Sequence, residues 1–276
     1  MSNILVINST GKIGSRVAAH LAAKGLPYRG VSRRTEIPFD WQDERTWPQA
    51  LAGGKSAFIS FVPDLAAPGA LAVMQRFVAA ARDADLSKLV LLTGRGEIGA
   101  VAAENAVRES GLGWTIVRAA WFNQNFSEGH LLESVLEGHL YMPAGDRKEP
   151  FVDAEDIAEV ATAALLDDRH TGQIYDVTGP ELLSFDEVAQ RLAGATHRPL
   201  QYVPVTLEEF HAGLLQTLGQ EWADLLRTIA DETLDGRNSW VGDGVQRALD
   251  RAPRDFQSFL QQALAAGTWT VPAAAE

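Results

Sequence analysis

Short apolar runs alternate with helically spaced apolar residues through the first half of the chain. "NILVIN" reads as a buried strand, and "SRVAAHLAAKG" as a helix that Gly25 ends. Strands over "YRGVSR", "SAFISFV", "KLVLLTG" and "WTIVRAA" follow, with helices over "PGALAVMQRFVAAARDA" and "AVAAENAVRESG" between the later ones. These strands are too rich in Val, Ile and Leu to keep a wet face, so their alternation with helices predicts a parallel sheet covered on both sides. Residues 121–150 break the pattern with aromatics, Gly, Pro and mixed charge. "FVDAEDIAEVATAALLD" restores a helix, with Asp153 and Asp156 read as capping acids rather than a catalytic pair. "GQIYDVTG" adds a strand, and from Pro180 the chain is mostly helical. The expected architecture is α/β: a doubly wound parallel core from 1–125 with 150–180, and a smaller, mostly helical C-terminal lobe from 126–149 with 181–276. The closing "VPAAAE" reads as a frayed tail.

The turn after the first strand carries the first candidate chemistry. In "VINSTGKIG", Gly11 and Gly14 stand where the second and third glycines of a dinucleotide-binding turn belong, and Asn8 stands in place of the first. The second glycine lets backbone approach a pyrophosphate and the third lets helix pack on strand. Asn enters the left-handed region more readily than most side chains, so the substitution keeps the turn. A tight turn of some other α/β fold fits the same residues; the strand–turn–helix setting favours the nucleotide. The second strand runs into Ser32-Arg33-Arg34 rather than the Asp or Glu of an NAD site. A hydroxyl and two guanidiniums suit a 2′-phosphate, which points to NADP, with NADPH preferred over NADH. An ordinary solvated basic turn is the alternative, and Glu36 lies close by.

Composition narrows the partners. The net charge of −12 disfavours nucleic acid and anionic membranes, which need basic surface. Without cysteine, disulfides, thiolate catalysis and cysteine–zinc sites are excluded. The six histidines show no metal-ligand spacing, so no metal is expected. No targeting signal or apolar run of membrane-spanning length stands out, which points to a cytoplasmic protein acting on a small molecule. Monomer and homodimer both remain open.

Several blocks together resemble the NmrA-like branch of the atypical short-chain dehydrogenases/reductases. They are "STGKIGSRVA", "PFDWQDERTWPQAL", "LVLLTGRGE", "ESGLGWTIVRAAWFNQNFSEG", "PAGDRKEPFVDAEDIAEVA", "YDVTGPELLSFDEVA" and "GDGVQRALDRAPRDFQSFLQQALAAGTW", and they span nearly the whole chain. "FDWQDERTW" further resembles the subgroup related to ergot-alkaloid iminium reductases. The resemblance implies an NADP(H)-binding Rossmann domain and a small lobe enclosing a substrate cleft. It carries the cofactor loop onto Asn8, Thr10, Gly11, Lys12, Ile13 and Gly14, and the adenosine phosphate site onto Ser32 and Arg33. It implies a nicotinamide side lined by Phe61, Val62, Pro63, Thr93 and Gly94. Activities in the family include NADPH-dependent reduction of quinones, azo dyes, cationic triphenylmethanes and iminium ions. Other members only bind dinucleotide and report redox state to protein partners.

The proton relay usual in the superfamily is missing. None of Tyr28, Tyr141, Tyr175 and Tyr202 has a lysine four residues later, and the helix around 98–110 holds neither residue type. That absence favours acceptors that are already cationic or electron-poor. Thr93 and Glu97 are the weak catalytic candidates, Glu97 because "GRGE" follows a strand at the edge where open α/β sheets bind ligands. Arg95 and Glu104 read as solvated or capping charges. Beyond the fifth strand, Trp121, Phe122 and Phe126 either stack on a flat substrate or pack a junction, and Asn123, Gln124 and Asn125 supply donors and acceptors. Tyr141, Met142 and Trp222 are further wall candidates. The expected function is an NADPH-dependent reductase of small electron-poor or cationic acceptors. The alternatives are a non-catalytic NADP(H) sensor working through a protein partner, and a degenerate fold that has lost the nucleotide.

Overall fold

The computed structural model describes residues 4–270; Asn3 of the first apolar run and the "VPAAAE" tail lie outside the described residues. The chain forms two compact units. The first comprises Met1–Ala119, Ala154–Val177 and Gly242–Ala252, and the second Ala120–Asp153, Thr178–Val241 and Pro253–Glu276.

The first unit is built on a parallel sheet. Its strands are β1 (Ile4–Ile7), β2 (Tyr28–Val31), β3 (Ser56–Ile59), β4 (Lys88–Gly94), β5 (Gly113–Ala119) and, later in the chain, β8 (Gln173–Val177). They lie in the order β2-β1-β3-β4-β5-β8, every pair parallel. Leu5, Ile7, Ile59, Leu89 and Leu91 have no exposed surface, as expected of strands covered on both faces. The unit's helices are α1 (Lys12–Ala23), α2 (Trp47–Leu51), α3 (Ala70–Asp83), α4 (Ile98–Arg108), α7 (Ala154–Leu166) and α11 (Gly244–Leu249). Gly25, at φ +67°, ends α1: its N–H reaches Ala22 O and the Leu26 N–H reaches Leu21 O. The "FDWQDERTW" block is core rather than surface, for Phe39, Trp41, Trp47, Phe61 and Phe77 form one buried aromatic cluster. After β2 on one side of β1, the chain crosses to place β3 on the other side, which makes the β1/β3 edge the switch point where such sheets open a ligand crevice.

The segment around α11 packs tightly on β8. A Cβ at Gly242 or at Gly244 would stand 2.5 Å from the Asp176 carbonyl oxygen. Asp156, in the first turn of α7, is buried and receives Arg251 Nη2 at 2.6 Å, which also reaches Glu159. Below the sheet, buried His170 accepts from Arg169 Nε at 3.2 Å through Nε2, so its Nδ1 carries the proton and faces Tyr175 Oη at 2.8 Å. Burial, and then the Arg169 charge, hold its pKa below the ordinary 6.5. The unfolded chain therefore takes up this proton first as pH falls, so the stabilisation is complete above 6.5 and is lost in the window beneath it. His170→Gln is expected to flatten the fall in urea midpoint between about pH 7.5 and 5.5; an unchanged slope would contradict this.

The second unit contains α5 (Asn125–Glu128), α6 (Leu132–Glu137), α8 (Phe185–Thr196), α9 (Leu207–Leu218), α10 (Gln220–Thr233) and α12 (Phe256–Ala265). Two small ladders accompany them. β6 (His139–Met142) pairs in parallel with β10 (Gln201–Pro204), and β7 (Lys148–Glu149) pairs antiparallel with β9 (Leu183–Ser184). Capping boxes start α8, from Ser184 and Glu187, and α9, from Thr206 and Glu209. Phe126, Phe151, Phe185 and Phe256 meet edge-to-face in the core, so Phe126 is packing and not a substrate platform. Among the described residues no helix is long and apolar enough to cross a membrane.

Candidate functional site

The glycine loop leaves β1 at Asn8, which sits at φ +60° in the left-handed region. Its amide Nδ2 points to Ser60 Oγ at 3.5 Å, at the far side of the β1/β3 switch point. That amide packs over Gly11, where a Cβ would lie 2.5 Å from Asn8 Nδ2 and push the side chain aside. Gly14 brings α1 onto the loop: a Cβ would stand 2.1 Å from Asn8 O. No acidic side chain occupies the first turn of α1, which leaves the positive end of the helix dipole for an anion. Ile13 is buried beneath this turn, while Lys12 is half-exposed on it.

Ser32 ties the loop to the end of β2. Its Oγ accepts from the Thr10 N–H at 3.2 Å and from the Thr10 hydroxyl at 3.0 Å, with Ser9 Oγ at 3.4 Å. The two Thr10 donors engage both Ser32 lone pairs, which leaves its hydroxyl proton directed to Ser9 or to a bound anion. Arg33 and Arg34 are exposed, and among the described residues no carboxylate pairs with either. Two unpaired guanidiniums beside an acid-free helix start fit an adenosine phosphate and a pyrophosphate. Along the same edge, Phe61 is buried against Trp41 with ring centroids 4.8 Å apart, and half-buried Val62 and Pro63 follow it.

At the end of β4, Thr93 is committed. Its hydroxyl donates to Glu104 Oε1 at 2.9 Å, and Arg118 grips the same carboxylate, Nε to Oε1 at 2.8 Å and Nη2 to Oε2 at 2.5 Å. Glu104 has no exposed surface. It is neither a solvated nor a capping charge but the buried anchor between α4, β4 and β5, and its hydrogen bonds raise the Arg118 pKa above its ordinary value. Arg95 is also buried, with Nε 3.8 Å from Asp176 Oδ1. Glu97 is buried and folds over Gly94, whose Cα it covers so closely that a Cβ would meet Glu97 Oε1 at 1.8 Å.

The remaining candidates belong to the second unit. Trp121 donates its indole N–H to Thr233 Oγ1 at 3.0 Å and sets its ring edge-on to Phe185. Phe122 is half-buried and bridges to Val152. Asn125 opens α5, its N–H bonded to Phe122 O. Tyr141 lies apart on β6, half exposed and stacked on His139. Gln124 Nε2 donates to Asp153 Oδ1 at 3.1 Å. Asn123 is the anomaly: its side chain is fully buried, and neither amide atom has a hydrogen-bond partner. Such an amide carries its desolvation cost uncompensated, so Asn123→Leu is expected to stabilise the protein by about 1–3 kcal/mol. A urea midpoint at or below that of the parent would contradict this.

The sequence reading passed over Ser60. The signal was available: a hydroxyl just past the strand next to β1, opposite the one glycine position of the motif that another residue fills.

A model of the NmrA-like family matches residues 101–260, more than half of the chain. Over 292 aligned positions the chain is 33% identical to an NAD(P)H azoreductase of Xenophilus azovorans, covering 95% of this chain and 98% of that protein. Among solved structures, a nucleoside-diphosphate-sugar epimerase of Staphylococcus aureus superposes with a TM-score of 0.82 at 20% identity, over 94% of this chain and 99% of that one. The triphenylmethane reductase of Citrobacter sp., complexed with NADP(H), superposes with a TM-score of 0.79 at 22% identity, over 95% and 100%. Likeness at these identities concerns the fold, which is the Rossmann fold. The chain belongs to the NmrA-like family.

Proposed function

We propose that this protein is a cytoplasmic NADPH-dependent reductase of small, flat, electron-poor or cationic acceptors, working without a Tyr–Lys proton relay. One observation carries the cofactor assignment: a glycine loop closed by Asn8 across the β1/β3 switch point, beside two unpaired arginines at the end of β2. When bound, the reduced nicotinamide supplies hydride. The chain's residues do the rest. Asn8, Thr10, Gly11, Lys12, Ile13 and Gly14 cradle the pyrophosphate, and Ser32 with Arg33 holds the adenosine phosphate. Phe61, Val62, Pro63, Thr93 and Gly94 line the nicotinamide, with Thr93 acting through its backbone because Glu104 takes its hydroxyl.

The acceptor class is supported by the full-length likeness to an NAD(P)H azoreductase, and the "FDWQDERTW" block supports including iminium ions. Parallel fluorescence titrations with NADPH and NADH test the cofactor reading. NADPH is expected to bind more tightly, and the preference to shrink as salt screens the phosphate–arginine contacts. Equal affinities would remove the role given to Arg33; no binding of either would remove the cofactor.

A further inference from the structure

The loop beyond β2 carries both signs of charge. Arg33, Arg34 and Glu36 stand within four residues, and all three are exposed. Which of them a nucleotide meets depends on how their backbone is held. On a loose loop, long side chains spend conformational entropy to reach a ligand, and opposite charges close in sequence are free to neutralise each other. A preference for the 2′-phosphate therefore needs a device that fixes the two arginines in place.

Thr35 is that device. Arg33 and Arg34 are the central residues of a turn that the Thr35 N–H closes on Ser32 O at 3.3 Å. The Thr35 side chain closes the same turn a second time, for its Oγ1 accepts the Ser32 N–H at 2.8 Å. Ser32 O also lies 2.9 Å from Oγ1, but it already takes the N–H groups of Thr35 and Phe39. The hydroxyl proton therefore goes to Ile37 O at 2.7 Å. One side chain thus ties the start of the loop to its end. Both ends are rooted: Ser32 Oγ receives the Thr10 N–H and hydroxyl of the glycine loop, and Phe39 is buried in the aromatic cluster.

We propose that Thr35 is the positioning residue for the NADPH preference, acting through Arg33 and Arg34; this rests on the cofactor assignment above. Without its hydroxyl, the Ser32 N–H loses its acceptor and Ile37 O loses its donor. The turn is then left with its 3.3 Å backbone bond, and the arginines lose their fixed footing. NADH carries no 2′-phosphate, so it makes no demand on this turn.

The test is fluorescence titration with NADPH and NADH of Thr35→Val, Thr35→Ala and Thr35→Ser, and of an Arg33→Ala/Arg34→Ala protein with and without T35V. T35V and T35A are each expected to weaken NADPH binding about tenfold, the scale of one or two lost hydrogen bonds, and to leave NADH binding unchanged. T35S keeps the hydroxyl and is expected to keep the parent's preference. In the protein without the two arginines, T35V is expected to cost NADPH nothing further. Equal losses for the two cofactors would make Thr35 a general support of the fold and overturn the proposal. So would a T35V or T35A protein with the parent's preference, or a T35V loss that persists in full without the arginines. A parent protein that binds both cofactors equally, or neither, would instead overturn the cofactor assignment, and the role of Thr35 with it.

Discussion

Gly14→Ala is expected to weaken NADPH binding about 100-fold, equivalent to about 2.7 kcal/mol, and to destabilise the fold by about 1–3 kcal/mol. The added Cβ would stand 2.1 Å from Asn8 O, 2.8 Å from Asn8 C and 3.1 Å from Ser9 Cα. All three are backbone atoms, so no side-chain rotation relieves the contact. The first turn of α1 has to lift away from the loop, and its amides leave the positions from which they would bind phosphate. Asn8→Gly is the contrasting variant. It keeps the left-handed backbone and removes only the amide over Gly11, so affinity is expected to change modestly. Fluorescence titration reads both. A G14A protein with the parent's affinity would show that the loop is not the cradle.

Arg118→Met is expected to destabilise the protein by about 3–5 kcal/mol, the usual cost of removing one partner from a buried pair. Glu104 would keep only the Thr93 hydroxyl while remaining sealed from water. Adding Glu104→Leu is expected to recover most of the loss, because two apolar side chains leave no charge to solvate. Urea unfolding of the two single variants and the double variant checks the cycle. If R118M lost no more than a surface substitution, the pair would not be the anchor between α4, β4 and β5.

The sheet and its helices were legible because strands buried on both faces leave unbroken apolar runs, and each helix carries its own apolar spacing. The substitution at Asn8 was legible too, since a single residue's backbone preference decides whether the turn forms; φ +60° is the value it needed. Less could be read where distant residues meet. The Glu104–Arg118 pair joins a helix to the following strand, and only the packed fold reveals that Glu104 has no exposed surface. The return of Gly242–Ala252 to the sheet unit depends on two glycines fitting against the Asp176 carbonyl, which no periodicity announces. β6 hides in an irregular stretch, although His139–Met142 alternates exposed and buried residues as a half-buried strand should. The bond from the Trp121 indole N–H to Thr233, on a distant helix, is another meeting that the sequence does not announce.

The central claim is that a bound reduced dinucleotide passes hydride to an electron-poor acceptor. The most direct measurement is anaerobic stopped-flow absorbance of the protein loaded with NADPH, mixed in turn with an azo dye, a quinone, an iminium ion and a cationic triphenylmethane. The prediction is saturable NADPH oxidation, faster than the protein-free reaction, with at least one of the four. NADPH that binds and stays reduced with all four would contradict it, and would leave a protein that senses the dinucleotide without spending it.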